Sequence, residues 1–307
     1  KTTSFGAGGY DYFIVKLSPT GSLLMMSAYG GSSDDYAKSV VETPDGYVMV
    51  VGASVSFGAG SGDIWLMKVD TTLLDTAWTR TFGDSYYQEG YWIERANGGG
   101  YIITGANFSA TNSDVWLLKV DDWGILVWNN TFGGTADDRG CSVVPTSDGG
   151  YAIAGQTESF GAGDYDVYLV KTDGSGNFQW QRTYGGAARD FADCIRQASD
   201  GGYFILGSTS SFGSDVQGYM IRTDASGDTL WTRTYGGVQD DDFHDGLITD
   251  DGCYIGAGHY GVDSGLNKDG YLVEFCPETS STAPCPPPDP TSIAALPETI
   301  CLGDSAM

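Results

Sequence analysis

Acidic side chains recur at one point of the chain, shortly after pairs of glycines such as Tyr-Gly-Gly. Carboxylate and carbonyl oxygens are the ligands that calcium prefers, so these acids are candidate calcium ligands. Their spacing matches neither an EF-hand loop nor a calcium-binding nonapeptide repeat. The alternative is that each aspartate caps a turn by accepting backbone N–H groups. The candidates are Asp34, Asp35, Asp137, Asp138, Asp190, Asp240 and Asp241.

Other residues that could do chemistry are few. His244 and His259 are the only histidines, and they stand at unequal positions in the sequence pattern, so neither a Ser-His-Asp triad nor a two-histidine metal site is expected. Glu89 and Glu94 could form a glycosidase pair, but acid pairs arise by chance in a chain with 40 acidic residues. No nucleophile elbow or phosphate-binding loop stands in a credible context. We therefore predict no catalytic residue, no enzyme activity and no cofactor other than possible calcium.

The six cysteines do not form a zinc motif. Cys141, Cys194 and Cys253 occupy different positions of the sequence pattern, and no Cys-x-x-Cys pair is present. Cys276 and Cys285 could close a small loop, although the pairing cannot be read from the sequence. A disulfide would indicate an exported protein.

A unit of about 52 residues recurs along most of the chain and must position these side chains. Its clearest segment is Asp11-Tyr-Phe-Ile-Val-Lys, which returns with first residues at 63, 114, 166, 218 and 269. A fixed period of this size indicates one supersecondary unit copied many times, and an all-β propeller is the leading case. The 46 glycines suit many short strands joined by tight turns.

Each unit predicts four strands. In the copy that starts at Gly150, we place strands at 150–157, 166–172, 178–186 and 190–198. An Asp-x-x-Gly turn precedes a tryptophan in several copies, and we expect that tryptophan to pack between blades. Counted in this phase, four full blades cover 47–96, 101–146, 151–198 and 203–249, with partial blades on both sides.

The order of glycine-rich strand, Asp-Val-Tyr strand and tryptophan hairpin resembles kelch-type repeats. The Asp-x-x-Gly-x-x-x-Trp hairpin, as at Asp173 to Gly176 and Trp180, also resembles quinoprotein-type propellers. Both resemblances span residues 1 to 275, imply a β-propeller and carry over no cofactor site. A five-blade ring would have a surplus strand, so we favour six or seven blades, with the first strands upstream of Lys1. Closure by another segment or chain is the alternative.

The net charge of the chain limits the classes of partner that we expect. The net charge of −25 argues against nucleic acid and against an anionic membrane surface, since both need basic residues. No stretch is apolar and long enough to span a membrane as a helix, and no signal peptide is present.

The C-terminal residues, 276 to 307, predict two further segments. Residues 276 to 290, rich in proline, read as a linker. Residues 300–305, Ile-Cys-Leu-Gly-Asp-Ser, resemble the start of the Ig-like or PKD-like modules of large Bacteroidetes surface proteins exported by the type IX secretion system. The predicted domains are therefore a propeller at 1–275, a linker at 276–290 and the start of a module at 291–307.

The predicted function follows from this organisation. The leading hypothesis is an extracellular structural or adhesive propeller in a surface protein or filament, with copies of itself, other surface proteins or glycans as partners. The second is a carbohydrate-binding propeller with one weak site per blade, in which Trp123 or the pair Tyr86-Tyr87 stacks on sugars. The third is a glycan-active enzyme. Equal sites around the disc would favour the second hypothesis, and a single irregular acidic pocket the third.

Overall fold

The computed structural model describes residues 1–261 and 268–277, and these residues form a β-propeller. Strands account for all the regular structure in the described residues, and this part of the chain contains no helix that could cross a bilayer. The strands are β1 Tyr12–Leu17, β2 Leu23–Tyr29, β3 Asp35–Glu42, β4 Tyr47–Ser54, β5 Asp63–Asp70, β6 Thr76–Phe82, β7 Gln88–Arg95, β8 Tyr101–Phe108, β9 Ser113–Val120, β10 Leu126–Phe132, β11 Asp138–Pro145, β12 Tyr151–Thr157, β13 Asp166–Thr172, β14 Phe178–Tyr184, β15 Asp190–Gln197, β16 Tyr203–Thr209, β17 Gln217–Thr223, β18 Thr229–Tyr235, β19 Asp242–Ile248, β20 Tyr254–Gly261 and β21 Lys268–Phe275.

The strands pair in sequence order as antiparallel meanders. Four complete sheets are β3–β6, β7–β10, β11–β14 and β15–β18; the described residues add a two-stranded sheet, β1–β2, and a three-stranded sheet, β19–β21. The two partial sheets are not hydrogen-bonded to each other, and β1 and β21 occupy the same place in the repeat. The surplus strand predicted for a five-blade ring is therefore present, and the blade number of the intact ring stays a prediction.

The predicted phase of the blades was wrong. The strand that we placed last in each blade, such as Asp190–Gln197, pairs instead with the strand that follows it and opens the next sheet. A repeat has the same period wherever counting starts, so periodicity sets the number of strands but not the boundary between sheets. Backbone hydrogen bonding decides that boundary.

The position of a strand within its sheet decides its burial. The third strands are apolar on both faces because neighbouring sheets cover them, and every residue of β13 is buried. The fourth strands are the most exposed. The first strands β3, β7, β11, β15 and β19, which we call the inner strands, contact one another in succession around the centre.

The predicted hairpin chemistry is confirmed. The carboxylate of Asp173 accepts the backbone N–H groups of Ser175 and Asn177, and Gly176 takes a positive φ of 79°. The tryptophan that follows packs against the next blade: Trp180 lies 6.1 Å from the ring of Tyr203. Burial of these aromatic rings between sheets is what holds successive blades together.

The disulfide differs from the prediction. Cys253 bonds to Cys276, which joins the turn before β20 to the end of β21. The small loop predicted between Cys276 and Cys285 is therefore not the pairing of Cys276, whose partner stands 23 residues upstream. Residues 278–307, with the predicted module, lie outside the described residues.

Candidate functional site

Every inner strand carries a β-bulge at the same position. In each pair formed by an inner strand and the strand that follows it, the pairing register slips by one residue near the start of the inner strand. The slip leaves one residue of the inner strand unpaired in the ladder. A bulge re-aims the extra side chain and is common beside binding sites. The bulged residues are Lys38, Tyr91, Cys141, Asp193 and His244.

A repeated glycine makes room for each bulge. A Cβ on the glycine of the second strand would lie 1.8 to 2.0 Å from the carbonyl oxygen that precedes the bulge by two residues. No side chain tolerates that distance, so glycine is required there by close backbone approach rather than by its φ angle. These glycines are Gly52, Gly105, Gly155, Gly207 and Gly258.

Two side chains from each inner strand face the centre, namely the bulged residue and the residue two positions before it. Side chains two apart share a face of a strand, and the residues between and beside them are largely buried in the sheet packing. We call this set the inner surface. It comprises Tyr36, Lys38, Glu89, Tyr91, Arg139, Cys141, Phe191, Asp193, Asp242 and His244.

The first part of the inner surface is a charged cluster around Glu89. The Lys38 ammonium lies 2.9 Å from the Glu89 carboxylate and 5.3 Å from the centre of the Tyr91 ring. The hydroxyls of Tyr91 and Tyr87 donate to Glu89 at 3.2 and 3.4 Å. Burial, followed by the charge of Glu89, raises the pKa of Tyr91 well above its usual value, so this hydroxyl stays a donor.

The middle of the inner surface combines a cation with a shielded thiol. The guanidinium of Arg139 lies 5.3 Å from the centre of the Phe108 ring, and its Nε is buried without a hydrogen-bond partner among the described residues. Burial, and then the nearby Asp193, raises the pKa of Cys141 to about 12. Cys141 is therefore a neutral thiol at physiological pH, not a nucleophile.

The last part brings together the two histidines. His244 Nε2 lies 3.1 Å from His259 Nδ1, and both approach Asp242. The bulge at His244 and the cross-strand pairing of Asp242 with His259 place the two histidines side by side, although they stand at unequal positions of the repeat. The Asp193 carboxylate, 3.7 Å from His244 Nδ1, is the main cause that raises the pKa of His244.

The acids predicted to bind calcium lie at the entrance to four of the inner strands, β3, β11, β15 and β19. Asp35, Asp138, Asp190 and Asp241 are buried, and each accepts the N–H of a glycine four residues upstream at 2.6 to 2.8 Å. Three of them also accept a serine hydroxyl from the loop ahead, as Asp190 does from Ser211 at 2.6 Å. The turn-capping role expected as the alternative is thus present.

The remaining predicted acids are more accessible. Asp34 accepts the Tyr10 N–H, Asp137 accepts the Ser113 N–H, and Asp240 is exposed. These seven acids are spread over four blades and do not converge on one ion.

A second ring of acids, which the sequence analysis missed, faces the first. A Cβ at Gly185 would lie 2.2 Å from Asp166 Oδ1 and 2.4 Å from Asp190 Oδ2, so two carboxylates flank one glycine. Equivalent pairs across the other glycines are Asp11 and Asp35, Asp63 and Gln88, Asp114 and Asp138, and Gln217 and Asp241. Both oxygens of Asp11 and one each of Asp138 and Asp190 have no hydrogen-bond partner among the described residues. Burial, and then Asp138, raises the pKa of Asp114. Calcium binding at such pairs stays a prediction.

The predicted sugar-stacking aromatics divide between two places. Trp123 is 69% exposed in the turn between β9 and β10, where the equivalent turns carry Ser175 and Ser226. Trp123 is thus a single feature, not one of a set of equal sites. Tyr87 lies beside the inner surface through its contact with Glu89.

Two shallow grooves do repeat between outer strands of adjacent sheets. One, of about 460 Å³, is lined by Phe82, Trp116, Leu126 and Asn129 among others. The next, of about 390 Å³, has the equivalent residues Phe132, Tyr168, Phe178 and Gln181. They are open clefts.

Variation between the copies of the repeat would have predicted the inner surface from the sequence. The residue before each bulge is small or apolar in every copy, whereas the bulged position is Lys, Tyr, Cys, Asp or His. Comparing the copies position by position would have marked Lys38, Glu89, Tyr91, Arg139 and Asp193.

Comparison with known proteins gives only distant similarities. No protein-family model matches the chain. The regulatory protein FlaEY of Caulobacter vibrioides is 28% identical over 149 residues, which cover 40% of this chain and 16% of that protein. The chain thus spans about a sixth of that relative's length.

Solved structures with some similarity include propellers. The Sqt1 protein of Chaetomium thermophilum has a TM-score of 0.48 at 12% identity, covering 81% of this chain and 64% of that one. The WD40 domain of Neurospora crassa Pan2 has a TM-score of 0.46 at 10% identity, covering 77% and 60%. A thermostable family-43 glycoside hydrolase has a TM-score of 0.42 at 11% identity, covering 83% and 95%. The chain covers less than two thirds of the first two structures, and these similarities assign no family.

Proposed function

We propose that this propeller is an adhesive module of an extracellular protein and that it binds a carbohydrate at its inner surface. The observation that carries the proposal is the contrast between copies. The blades repeat their turn acids, glycines and packing aromatics, but the inner-surface position at the bulge carries five different side chains, from Lys38 to His244. A set of side chains that differs from blade to blade suits one asymmetric ligand rather than equal weak sites.

The chemistry of the inner surface suits a sugar. Carboxylates such as Glu89 and Asp193 accept hydroxyl hydrogens, Lys38 and Arg139 donate, and aromatic rings offer flat apolar faces. The Arg139 Nε, buried without a partner, is a donor that a ligand oxygen would satisfy. Pockets that recognise polar ligands combine such rings with a few convergent polar groups.

The extracellular part of the proposal rests on two properties. Cys253 and Cys276 form a disulfide, and disulfides persist mainly in oxidising compartments. The net charge of −25 keeps such a protein soluble and disfavours binding to anionic polymers. Adhesion by glycan binding is compatible with both.

A glycan array, followed by calorimetry on the best ligand, tests the proposal. Arg139→Ala and Glu89→Gln should each weaken binding by about 10-fold or more, the loss expected for one or two charge-assisted hydrogen bonds. Phe178→Ala, in the second groove between outer strands, is the matched control and should bind as the native protein does.

The grooves supply the competing location. If Phe178→Ala loses binding and the inner-surface variants keep it, the repeated grooves hold the sugar. If no glycan binds with an affinity that Arg139→Ala reduces, the proposal of an inner carbohydrate site is wrong. Release of product from the bound glycan would instead indicate an enzyme.

A further inference from the structure

Asp242, His244 and His259 place three ligand atoms in a compact triangle. Asp242 Oδ1 lies 2.8 Å from His259 Nδ1 and 3.2 Å from His244 Nε2, and the two nitrogens are 3.1 Å apart. Ligand atoms about 2.1 Å from a common first-row metal ion lie roughly 3.0 to 3.4 Å from one another. The triangle already has nearly these dimensions.

The oxygen at the apex of the triangle lacks a conventional partner. Asp242 Oδ1 is buried from solvent, yet neither neighbouring imidazole meets it with hydrogen-bond geometry. Buried polar atoms are almost always satisfied, so an orphaned carboxylate oxygen between two ring nitrogens indicates a missing positive charge. A divalent ion bound to all three atoms would supply it.

The surroundings match the second shell of a metal site. His244 Nδ1, the nitrogen that points away from the triangle, lies 3.7 Å from Asp193 Oδ2. A carboxylate behind a ligating histidine orients the ring and raises its basicity. Asp193 is itself the bulged residue of the neighbouring inner strand, so two blades combine to build the arrangement.

We propose that Asp242, His244 and His259 bind a first-row divalent metal ion of the zinc type. Two imidazoles and one carboxylate suit zinc, iron(II) or manganese, whereas calcium prefers oxygen ligands alone. Three protein ligands leave a position for water or for an oxygen of a bound molecule. This site goes beyond the carbohydrate proposal and is tested without a glycan.

Among the described residues, the contact of Lys268 with His259 opposes binding of the ion. Its Nζ contacts His259 Nε2, on the ring edge opposite the triangle. A histidine that accepts from an ammonium at Nε2 carries its proton on Nδ1, the atom that must be bare to bind a metal. Metal binding therefore requires the flexible lysine side chain to turn away.

The test is titration of the full, chelator-treated chain with Zn²⁺ by calorimetry and with Co²⁺ by visible absorption. We expect one equivalent bound per chain, lost in His244→Ala and His259→Ala. Because the chain has only two histidines, both imidazole NMR signals should shift on Zn²⁺ addition. Asp193→Asn should weaken the affinity about 10- to 100-fold.

Two variants separate the site from its surroundings. Asp245→Asn, the next residue along the inner strand, should bind as the native chain, and Lys268→Met should bind at least as tightly. Equal affinity in the native chain and the His244→Ala/His259→Ala double variant would assign binding to other groups, such as cysteines, and overturn the proposal. Loss of binding in Lys268→Met would also overturn it.

The two proposals can fail separately. Glycan binding that survives in His259→Ala while metal binding is lost supports the metal site and leaves the carbohydrate site in place. Metal binding that survives in Arg139→Ala shows that the triangle does not depend on the glycan contacts.

Discussion

Two positions of each inner strand differ in how much they vary between blades: the acid or amide at the start of the strand, and the bulged residue three positions later. At its entrance, Asp35, Asp138, Asp190 and Asp241 make the same bond to a glycine N–H in their blades, and Gln88 takes the equivalent place in another. Three residues further on, the bulged side chains are all different. The side chains that accept backbone N–H groups recur from blade to blade, because every blade has the same N–H group to satisfy. Positions that face the centre are free of that demand, and their variety is the basis of the ligand site that we propose there.

The largest expected effect tests the scaffold side of this comparison. Gly155→Ala puts a methyl group 1.9 Å from the Arg139 carbonyl oxygen, so β11 must shift or lose its bulge. We expect a loss of about 3 kcal/mol in unfolding free energy, measured by urea denaturation. Gly270→Ala, where no described residue lies within 4 Å of the added methyl group, is the control and should change stability by less than about 1 kcal/mol. Equal effects would mean that the close approach does not create the bulge.

Calcium tests whether the repeated acids do more than cap turns. If the buried pairs such as Asp166 and Asp190 bind the ion, calcium at 100 times its Kd should stabilise the fold by about 2.7 kcal/mol and raise the melting temperature. Asp190→Asn should reduce this gain. A melting curve that is the same with calcium and with chelator would leave these acids a structural role only.

Low pH should reduce the stability of the fold by protonating carboxylates that form ion pairs. Burial acts to raise the pKa of the Asp148 carboxyl, but its bonds with Lys171 and Thr146 outweigh this effect and lower the pKa to about 2. A carboxyl with a depressed pKa in the folded state stabilises the protein above about pH 4, and this contribution is lost as the pH falls toward 2. Because the Asp148 side chain is 57% exposed, we expect less than about 1 kcal/mol from this pair. Asp148→Asn should flatten the pH dependence of urea denaturation slightly, whereas Asp164→Asn, at an exposed pair, should not.

The smallest expected effect tests the inner surface. Arg139→Ala removes a side chain with an unpartnered Nε, so the unfolding free energy should change by no more than about 0.5 kcal/mol. The same variant should weaken glycan binding by about 10-fold or more. A large destabilisation would place Arg139 among the structural residues and remove the contrast between the two ends of the strand.

The repeat alone determined much of the fold. The period, the apolar third strands and the Asp-x-x-Gly turns predicted four-stranded sheets and tryptophans between blades, because these features depend on neighbouring residues and on one copied packing problem. Only the tertiary structure decided where one sheet ends, because a period has no origin.

Tertiary structure also decided the candidate site. His244 and His259 meet because a bulge turns one side chain toward its cross-strand neighbour, and Lys38 meets Glu89 because successive inner strands converge. These contacts join residues 15 and 51 positions apart, the first through a backbone irregularity and the second through the curvature of the ring. The repeated glycines opposite each bulge were visible in the sequence, but their role depends on a carbonyl oxygen that only the folded chain brings near.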